Sequence, residues 1–209
     1  MSGQMEKFYR VQKEDIPKAG VVLTNAFQHD PVWNKVFGVE STIDQKRAVF
    51  ETPIRYCLKF GEVYAASENL EGILAWTPGN LAELTIWRLI QCGGVRFGLK
   101  IGAKLAGRME PMFKPLQKDR EENMKGKPFL YVQIIGVAPE FQGQGYGGKL
   151  LRALIEKSEQ AGLPVYLETE TEPNVKMYEK FGFKMLKRIS LPVINLPMWE
   201  MARECKTRF

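Results

Sequence analysis

The spacing of hydrophobic and polar residues predicts helices alternating with strands along the chain. Helical periodicity covers residues 14–27, 43–60, 81–125, a stretch that ends at Gly162, and 173–181. Runs rich in β-branched and aromatic residues predict strands at 8–11, 62–67, 72–77, 129–137, 165–169, 184–191 and 197–203. The run at 129–137 is apolar throughout, as a central strand buried on both faces requires. The pattern predicts one domain over residues 1–209, with an early antiparallel meander and a late βαβ crossover.

The segment from Gln142 to Gly148 is rich in glycine and lies between the long strand and the next helix. Free backbone N–H groups and the positive end of the helix dipole converge at such a junction. Glycine also lets the backbone approach an anion closely. The segment therefore predicts a phosphate or pyrophosphate site, and the other interpretation is a flexible loop.

Three phosphate-binding motifs overlap in this loop. Gly143, Gly145 and Gly148 satisfy the dinucleotide pattern G-x-G-x-x-G, and Glu168 follows at the spacing of a ribose contact. However, several residues separate the strand from the first glycine, and too little chain remains for a doubly wound sheet. The nucleotide triphosphatase pattern fails at Leu150, which stands where a serine or threonine coordinates magnesium.

The third motif, Q/R-x-x-G-x-G/A, is met by Gln142, Gly145 and Gly147, and here the sequence resembles the GNAT superfamily of N-acetyltransferases. The resemblance covers residues 129–187, including the Leu-Glu-Thr of the next strand and a Tyr-Glu-x-x-Gly-Phe helix end. It looks most like the branch of puromycin acetyltransferase-type enzymes. It implies an α/β fold of GNAT type (α+β in its strand directions), in which a central mixed sheet of about six or seven strands is flanked by helices. Residues 81–125 would be a helical insertion before the cofactor strand.

The resemblance implies acetyl-CoA as the cofactor. Main-chain groups of Ile135, Gly136 and Val137 would bind the pantetheine arm, in a gap between the long strand and its parallel neighbour. Backbone N–H groups would bind the pyrophosphate in the loop formed by Gln142, Gly143, Gln144, Gly145, Tyr146, Gly147 and Gly148. Asn174 would contact the cofactor, and Tyr178, one helical turn further on, would protonate the leaving thiolate.

A carboxylate near the end of the strand at 165–169 is the predicted general base, because the attacking amine must lose a proton. Glu168 is the first candidate. Glu170 and Glu172 lie nominally on the same side of an extended chain, so spacing does not choose among these three or a water chain. The alternative for each carboxylate is a solvated or ion-paired side chain, and for Tyr178 a half-buried core aromatic.

The acceptor is expected to be a primary amine of an unidentified small molecule or peptide. In the branch named above, a histidine commonly stands just before the long strand, whereas this chain has Lys-Gly-Lys-Pro at 125–128. The acceptor or its proton route is therefore expected to differ from that branch.

Composition narrows the chemistry. His29 is the single histidine, which excludes mechanisms that need two and disfavours a Ser/His/Asp arrangement. The three cysteines lie far apart and form no C-x-x-C, so no metal site is predicted and a reducing, cytoplasmic setting is expected. The polar N-terminus and the absence of a long apolar stretch predict a soluble protein without membrane insertion.

The formal net charge is +6, and residues 84–109 contain no acidic residue. Arg96, Lys100, Lys104 and Arg108 recur every four positions, so on one helix they would form a basic stripe beside an apolar face. This segment is interpreted as a solvated helix face or as a mobile lid over the acceptor site, because its glycines weaken the helix. No nucleic acid is expected as a partner, since no recognised nucleic-acid module accompanies the charge.

Three functional hypotheses remain open at this point. The first is an N-acetyltransferase, monomeric or homodimeric, that works by direct transfer in a ternary complex. The second is a CoA-binding regulatory protein without catalysis. The weakest is an adaptor for RNA or an anionic membrane surface, which the basic segment alone suggests.

Overall fold

A computed structural model describes residues 4–205 of the chain. Its strands are β1 Tyr9–Arg10, β2 Glu62–Ala65, β3 Gly72–Pro78, β4 Leu130–Val137, β5 Val165–Thr169, β6 Lys184–Ser190 and β7 Pro197–Arg203. They form one sheet in the order β1-β2-β3-β4-β5-β7-β6. Among these strands only β4 and β5 are parallel neighbours, so the sheet is mixed as predicted.

Within the same residues the helices are α1 Ile16–Ala26, α2 Pro31–Phe37, α3 Ile43–Phe60, α4 Ile86–Gln91, α5 Gly94–Ile101, α6 Ala103–Met124, α7 Tyr146–Ala161 and α8 Glu172–Lys180. Local signals set their ends. Thr42 begins α3 with a capping box, and Gly162, at a φ of 66°, ends α7. Helix α2 was not predicted; it begins where Asp30 accepts hydrogen bonds from the N–H groups of Val32 and Trp33.

The sheet is covered on both faces. Apolar side chains of α1 and α3, among them Leu23 and Ile54, pack on one face. On the other face α7 contributes Leu151 and Leu154, and α8 contributes Val175. Helix α7 is the crossover between β4 and β5, so the predicted βαβ unit is confirmed, with the N-terminus of α7 beside the end of β4.

The segment 81–125 is helical, but it forms three helices rather than one. Gly93 and Gly102 have φ values of 84° and 80°, a conformation that interrupts a right-handed helix. The four basic residues of the predicted stripe are therefore divided between α5 and α6, and a single stripe does not exist. Arg108 is also not simply solvated, since it donates a hydrogen bond of 2.9 Å to the carbonyl of Val36.

Candidate functional site

A gap opens in the sheet between β4 and β5. Within residues 4–205 the two strands pair only through Leu130 with Val165 and Tyr131 with Tyr166. Further along, β4 remains paired with β3, and β5 remains paired with β7. The register between β3 and β4 shifts so that Gln133 has no partner, which is a β-bulge. A bulge bends the strand and increases its twist, and this accounts for the divergence of β4 from β5.

The second half of β4 forms one wall of this gap. Ile135, Gly136 and Val137 pair with β3 and have no β5 residue opposite them. Their backbone groups on the gap side therefore need partners of another kind. Gly136 lies against α1, where an added Cβ would be 2.7 Å from Cδ2 of Leu23, so a larger residue would force the Leu23 side chain to move. The three predicted pantetheine contacts thus lie on an open strand edge.

The glycine loop continues directly from this edge. Gly143 and Gly145 have φ values of 77° and 81°, which side chains other than glycine rarely adopt. No side chain caps the N-terminus of α7. Within the described residues no hydrogen bond is donated by the backbone N–H groups of Gly143, Gly145, Tyr146, Gly147 or Gly148. Free N–H donors at the positive end of a helix dipole are the arrangement that anion sites in proteins use.

Side chains support the loop and add positive charge to it. The Gln142 side-chain amide donates to the carbonyl of Val137 at 3.1 Å, and the Gln144 amide donates to that of Glu140 at 3.0 Å. Both residues thus hold the loop, since their backbone N–H groups also donate within it, to the carbonyls of Pro139 and Phe141. Lys149 is a cation in the first turn of α7, directly beside the free N–H groups.

Helix α8 presents the two other predicted site residues. Thr171 caps it by accepting from the N–H of Asn174, and Tyr178 follows one turn later on the same face. Tyr178 is 5% exposed, and its ring packs edge-to-face on Phe183 with centroids 5.6 Å apart. Burial raises the pKa of Tyr178, and the negative charge of Glu170 raises it further. The phenol therefore keeps its proton at neutral pH.

The structure separates the carboxylates that spacing left equivalent. Glu168 is held on β5, where the Tyr131 hydroxyl donates to its Oε2 at 2.6 Å and Arg120 Nη1 lies 3.5 Å from its Oε1. Burial raises the pKa of Glu168, while Arg120 and the hydrogen bond from Tyr131 oppose that rise. Glu172 is exposed in the first turn of α8.

Glu170 lies in a different environment, just after the end of β5. Burial raises its pKa to about 8, and the negative charge of Asp30 contributes to this rise. Burial also raises the pKa of Asp30, against hydrogen bonds from the N–H groups at the start of α2. Glu170 is thus electrostatically linked to Asp30 and to Tyr178. Sequence reasoning missed Asp30, whose only signal was that of a helix start at Asp-Pro.

The second half of α6 is attached to the sheet beside the gap. The Arg120 guanidinium lies over the Tyr131 ring, 4.1 Å from its centroid. Asn123 donates to Oε2 of Glu200 at 2.7 Å, and the Tyr166 hydroxyl donates to the same oxygen at 3.0 Å. This is the part of the predicted insertion that reaches the site. No sequence signal pointed to Arg120, because its partners are distant along the chain.

Comparison with known families gives a match over the region that contains this site. The sequence profile of the Acetyltransferase (GNAT) family matches residues 65–183, more than half of the chain. An uncharacterised N-acetyltransferase of Schizosaccharomyces pombe is 30% identical, over 95% of this chain and 83% of that protein. A mycothiol acetyltransferase of Nocardiopsis dassonvillei is 40% identical over 63 residues, which are 29% of this chain and 19% of that protein.

Solved structures show the same fold. A Corynebacterium glutamicum protein described as histone acetyltransferase HPA2 and related acetyltransferase superposes with a TM-score of 0.64 at 22% identity, over 100% of this chain and 99% of its own. A mosquito arylalkylamine N-acetyltransferase like 5b gives a TM-score of 0.56 at 13% identity, over 94% and 98%. The seven-stranded mixed sheet flanked by helices is therefore an architecture that these proteins share.

Proposed function

Because this chain belongs to the GNAT family of acetyltransferases, we propose that it transfers an acetyl group from acetyl-CoA to the primary amine of a small molecule or peptide. The observation that carries the proposal is the continuity of the open β4 edge with the unpaired amides of the loop. A ligand with amide groups followed by a pyrophosphate needs backbone partners first and anion-binding N–H groups next. The chain provides both in that order. Assignment to the puromycin acetyltransferase-type branch stays a prediction.

The residues present fit this cofactor. Ile135, Gly136 and Val137 would bind the pantetheine amides through their main chain, and the loop at 142–148 would bind the pyrophosphate. Lys149 adds a positive charge beside the loop, and Asn174 would contact the cofactor from α8. When bound, acetyl-CoA supplies the acetyl group as a thioester, which an amine can attack only after losing its proton.

Two groups of this chain would move the protons. Tyr178 would give its proton to the leaving thiolate; burial keeps the phenol protonated at neutral pH, although the raised pKa also makes it a weaker acid. For the base we favour Glu170 over Glu168, the first candidate from the sequence. Oε2 of Glu168 accepts the hydrogen bond from Tyr131, and its Oε1 lies 3.5 Å from Nη1 of Arg120 in a buried ion pair. Glu170 has a pKa of about 8, which suits a base that takes a proton from an ammonium.

Calorimetric titration with acetyl-CoA tests the cofactor site. We expect Gly145→Val to lower the affinity at least about tenfold, because valine strains a backbone with a φ of 81° and the loop amides would turn away. Gly107→Val is the matched control, since Gly107 lies exposed on α6 with open space around it. Equal affinities for wild type and Gly145→Val would contradict the proposal.

The Tyr178→Phe variant separates an enzyme from a CoA-binding protein without catalysis. If Tyr178 is the acid, kcat should fall about 10²- to 10⁴-fold while acetyl-CoA affinity stays near that of wild type. The assay is a panel of primary amines scored by release of the CoA thiol. Tyr64→Phe is the control, because Tyr64 is also a buried tyrosine but lies on β2, away from the gap. Cofactor binding without turnover of any amine would favour the regulatory protein.

A further inference from the structure

Helices α4 and α5 carry large apolar side chains on their outer side. These side chains are 45% to 79% exposed and belong to Ile86, Trp87, Ile90, Val95 and Leu99. They are five of the eleven large apolar side chains that are exposed within residues 4–205. Helices α4 and α5 pack against each other, and these five side chains are together called the outer apolar surface below.

The attachment of these helices to the protein does not use this surface. Phe97 is the buried residue of α5, and Arg55 of α3 lies over its ring at 5.7 Å from the centroid. Val95 and Leu99 point away from that contact, one helical turn apart. A helix packed on a domain by one face normally has a polar opposite face. Here the opposite face is apolar too, and a contiguous exposed apolar patch indicates an interaction site.

The surroundings of the outer apolar surface are cationic. Residues 84–109 contain no acidic residue. Arg96 and Lys100 are exposed next to Val95 and Leu99, and within the described chain neither forms an ion pair. Lys59 of α3 adds a third positive charge, held at 2.9 Å from the carbonyl of Gln91 at the end of α4.

We propose that α4 and α5 dock the protein on the surface of an anionic lipid bilayer. The outer apolar surface would enter the headgroup region, with Trp87 as the aromatic anchor and Arg96 and Lys100 against lipid phosphates. The contact is peripheral, because α4 and α5 have six and eight residues. Moreover, none of the helices in residues 4–205 combines the length and apolar character that crossing a membrane requires.

Charge favours a bilayer over a second copy of this chain. A two-fold dimer through the outer apolar surface would place this basic patch against an identical basic patch, with no acidic residue of 84–109 to offset the charge. An anionic surface neutralises these charges instead. Helix α5 packs on α3, α4 and α6. The inference does not depend on the proposed function.

The test uses the full chain and sucrose-loaded vesicles of phosphatidylcholine, with and without about one third phosphatidylserine. We expect sedimentation with the anionic vesicles only, weakened by added salt. Of the four tryptophans, Trp87 is 77% exposed, Trp33 is half-buried against Phe50, and Trp76 and Trp199 are 5% and 6% exposed, so a blue shift of the emission on binding would report mainly Trp87. Brominated lipid should quench the same signal.

Paired substitutions then locate the contact. We expect Trp87→Ser with Leu99→Ser, and separately Arg96→Glu with Lys100→Glu, to lower vesicle binding at least about tenfold. The matched apolar control is Val39→Ser with Val193→Ser, at side chains that are 104% and 65% exposed. The matched charge control is Lys13→Glu with Lys35→Glu, at exposed lysines elsewhere. Both controls should bind as wild type does.

Three results would overturn the proposal. The first is equal binding to neutral and anionic vesicles. The second is unchanged vesicle binding by the paired variants. These variants should fold, because the substituted positions are exposed, and circular dichroism verifies this. The third is a dimer in analytical ultracentrifugation that Trp87→Ser with Leu99→Ser dissociates, which would assign the surface to a second copy.

Discussion

Replacing Glu170 by glutamine removes a carboxyl whose ionisation the fold opposes. In the folded protein, burial and the charge of Asp30 raise its pKa from 4.5 to about 8. Between these pH values the folded chain holds a proton that the unfolded chain releases, so rising pH favours unfolding. The contribution of the protonated carboxyl to stability is complete below pH 4.5 and is lost as the pH rises through about 8.

The magnitude follows from the width of this window. One proton held across the window is equivalent to about 1.4 kcal/mol per pH unit, or about 2.5 kcal/mol between pH 6 and pH 8. Partial solvent access to Glu170 and the sharing of negative charge with Asp30 reduce this to about 1–2 kcal/mol. Glutamine has a similar volume and does not titrate. We therefore expect the free energy of unfolding of Glu170→Gln to rise by about 1–2 kcal/mol relative to that of wild type between about pH 6 and pH 8.

Urea unfolding of both proteins, from about pH 5 to pH 9, measures this difference. Glu172→Gln is the matched control, since Glu172 is exposed nearby on α8, and its curve should run parallel to that of wild type. If Glu170 is the base, kcat/KM of wild type should rise with pH and level off above about 8, and Glu170→Gln should be slow throughout. A stability difference independent of pH would refute the electrostatic reasoning, and full activity of Glu170→Gln would remove it as the base.

Further substitutions test the packing around the site. Arg120→Met leaves the Glu168 carboxylate buried without its cation and should cost about 3–5 kcal/mol in urea unfolding. Adding Glu168→Gln should recover much of this loss. If Arg120→Met left the free energy of unfolding unchanged, Arg120 and Glu168 would not form a charged pair. Gly61→Ala places a Cβ 2.0 Å from the carbonyl oxygen of Trp76, so the yield of folded protein and its Tm should both fall sharply. Thr42→Ala removes the N-cap of α3 and should cost about 1 kcal/mol, which Thr42→Ser should restore.

Residues whose structure depends on near neighbours were predicted correctly. The end of α3 before Gly61 and the end of α7 at Gly162 follow from local chain chemistry. Helix α2 was missed because seven residues give too little periodicity, and its stability comes from packing of Val32 and Val36 in the core. The prediction of a continuous helix at 81–125 was wrong. Gly102 interrupts the helix only because its φ is positive, and tertiary packing sets that angle.

The sequence by itself determined the order of the strands and of most long helices, the glycine-rich loop and the resemblance to a family, because these depend on residue type at short spacing. Only the tertiary structure decided what the site contains. The bulge at Gln133 opens the gap through the pairing of β4 with a distant strand. Folding also gave Glu168 the partners Arg120 and Tyr131, and it placed Glu170 under the influence of Asp30. The ionisation of a carboxyl depends on burial and on charges brought close by folding, and spacing along the chain carries neither.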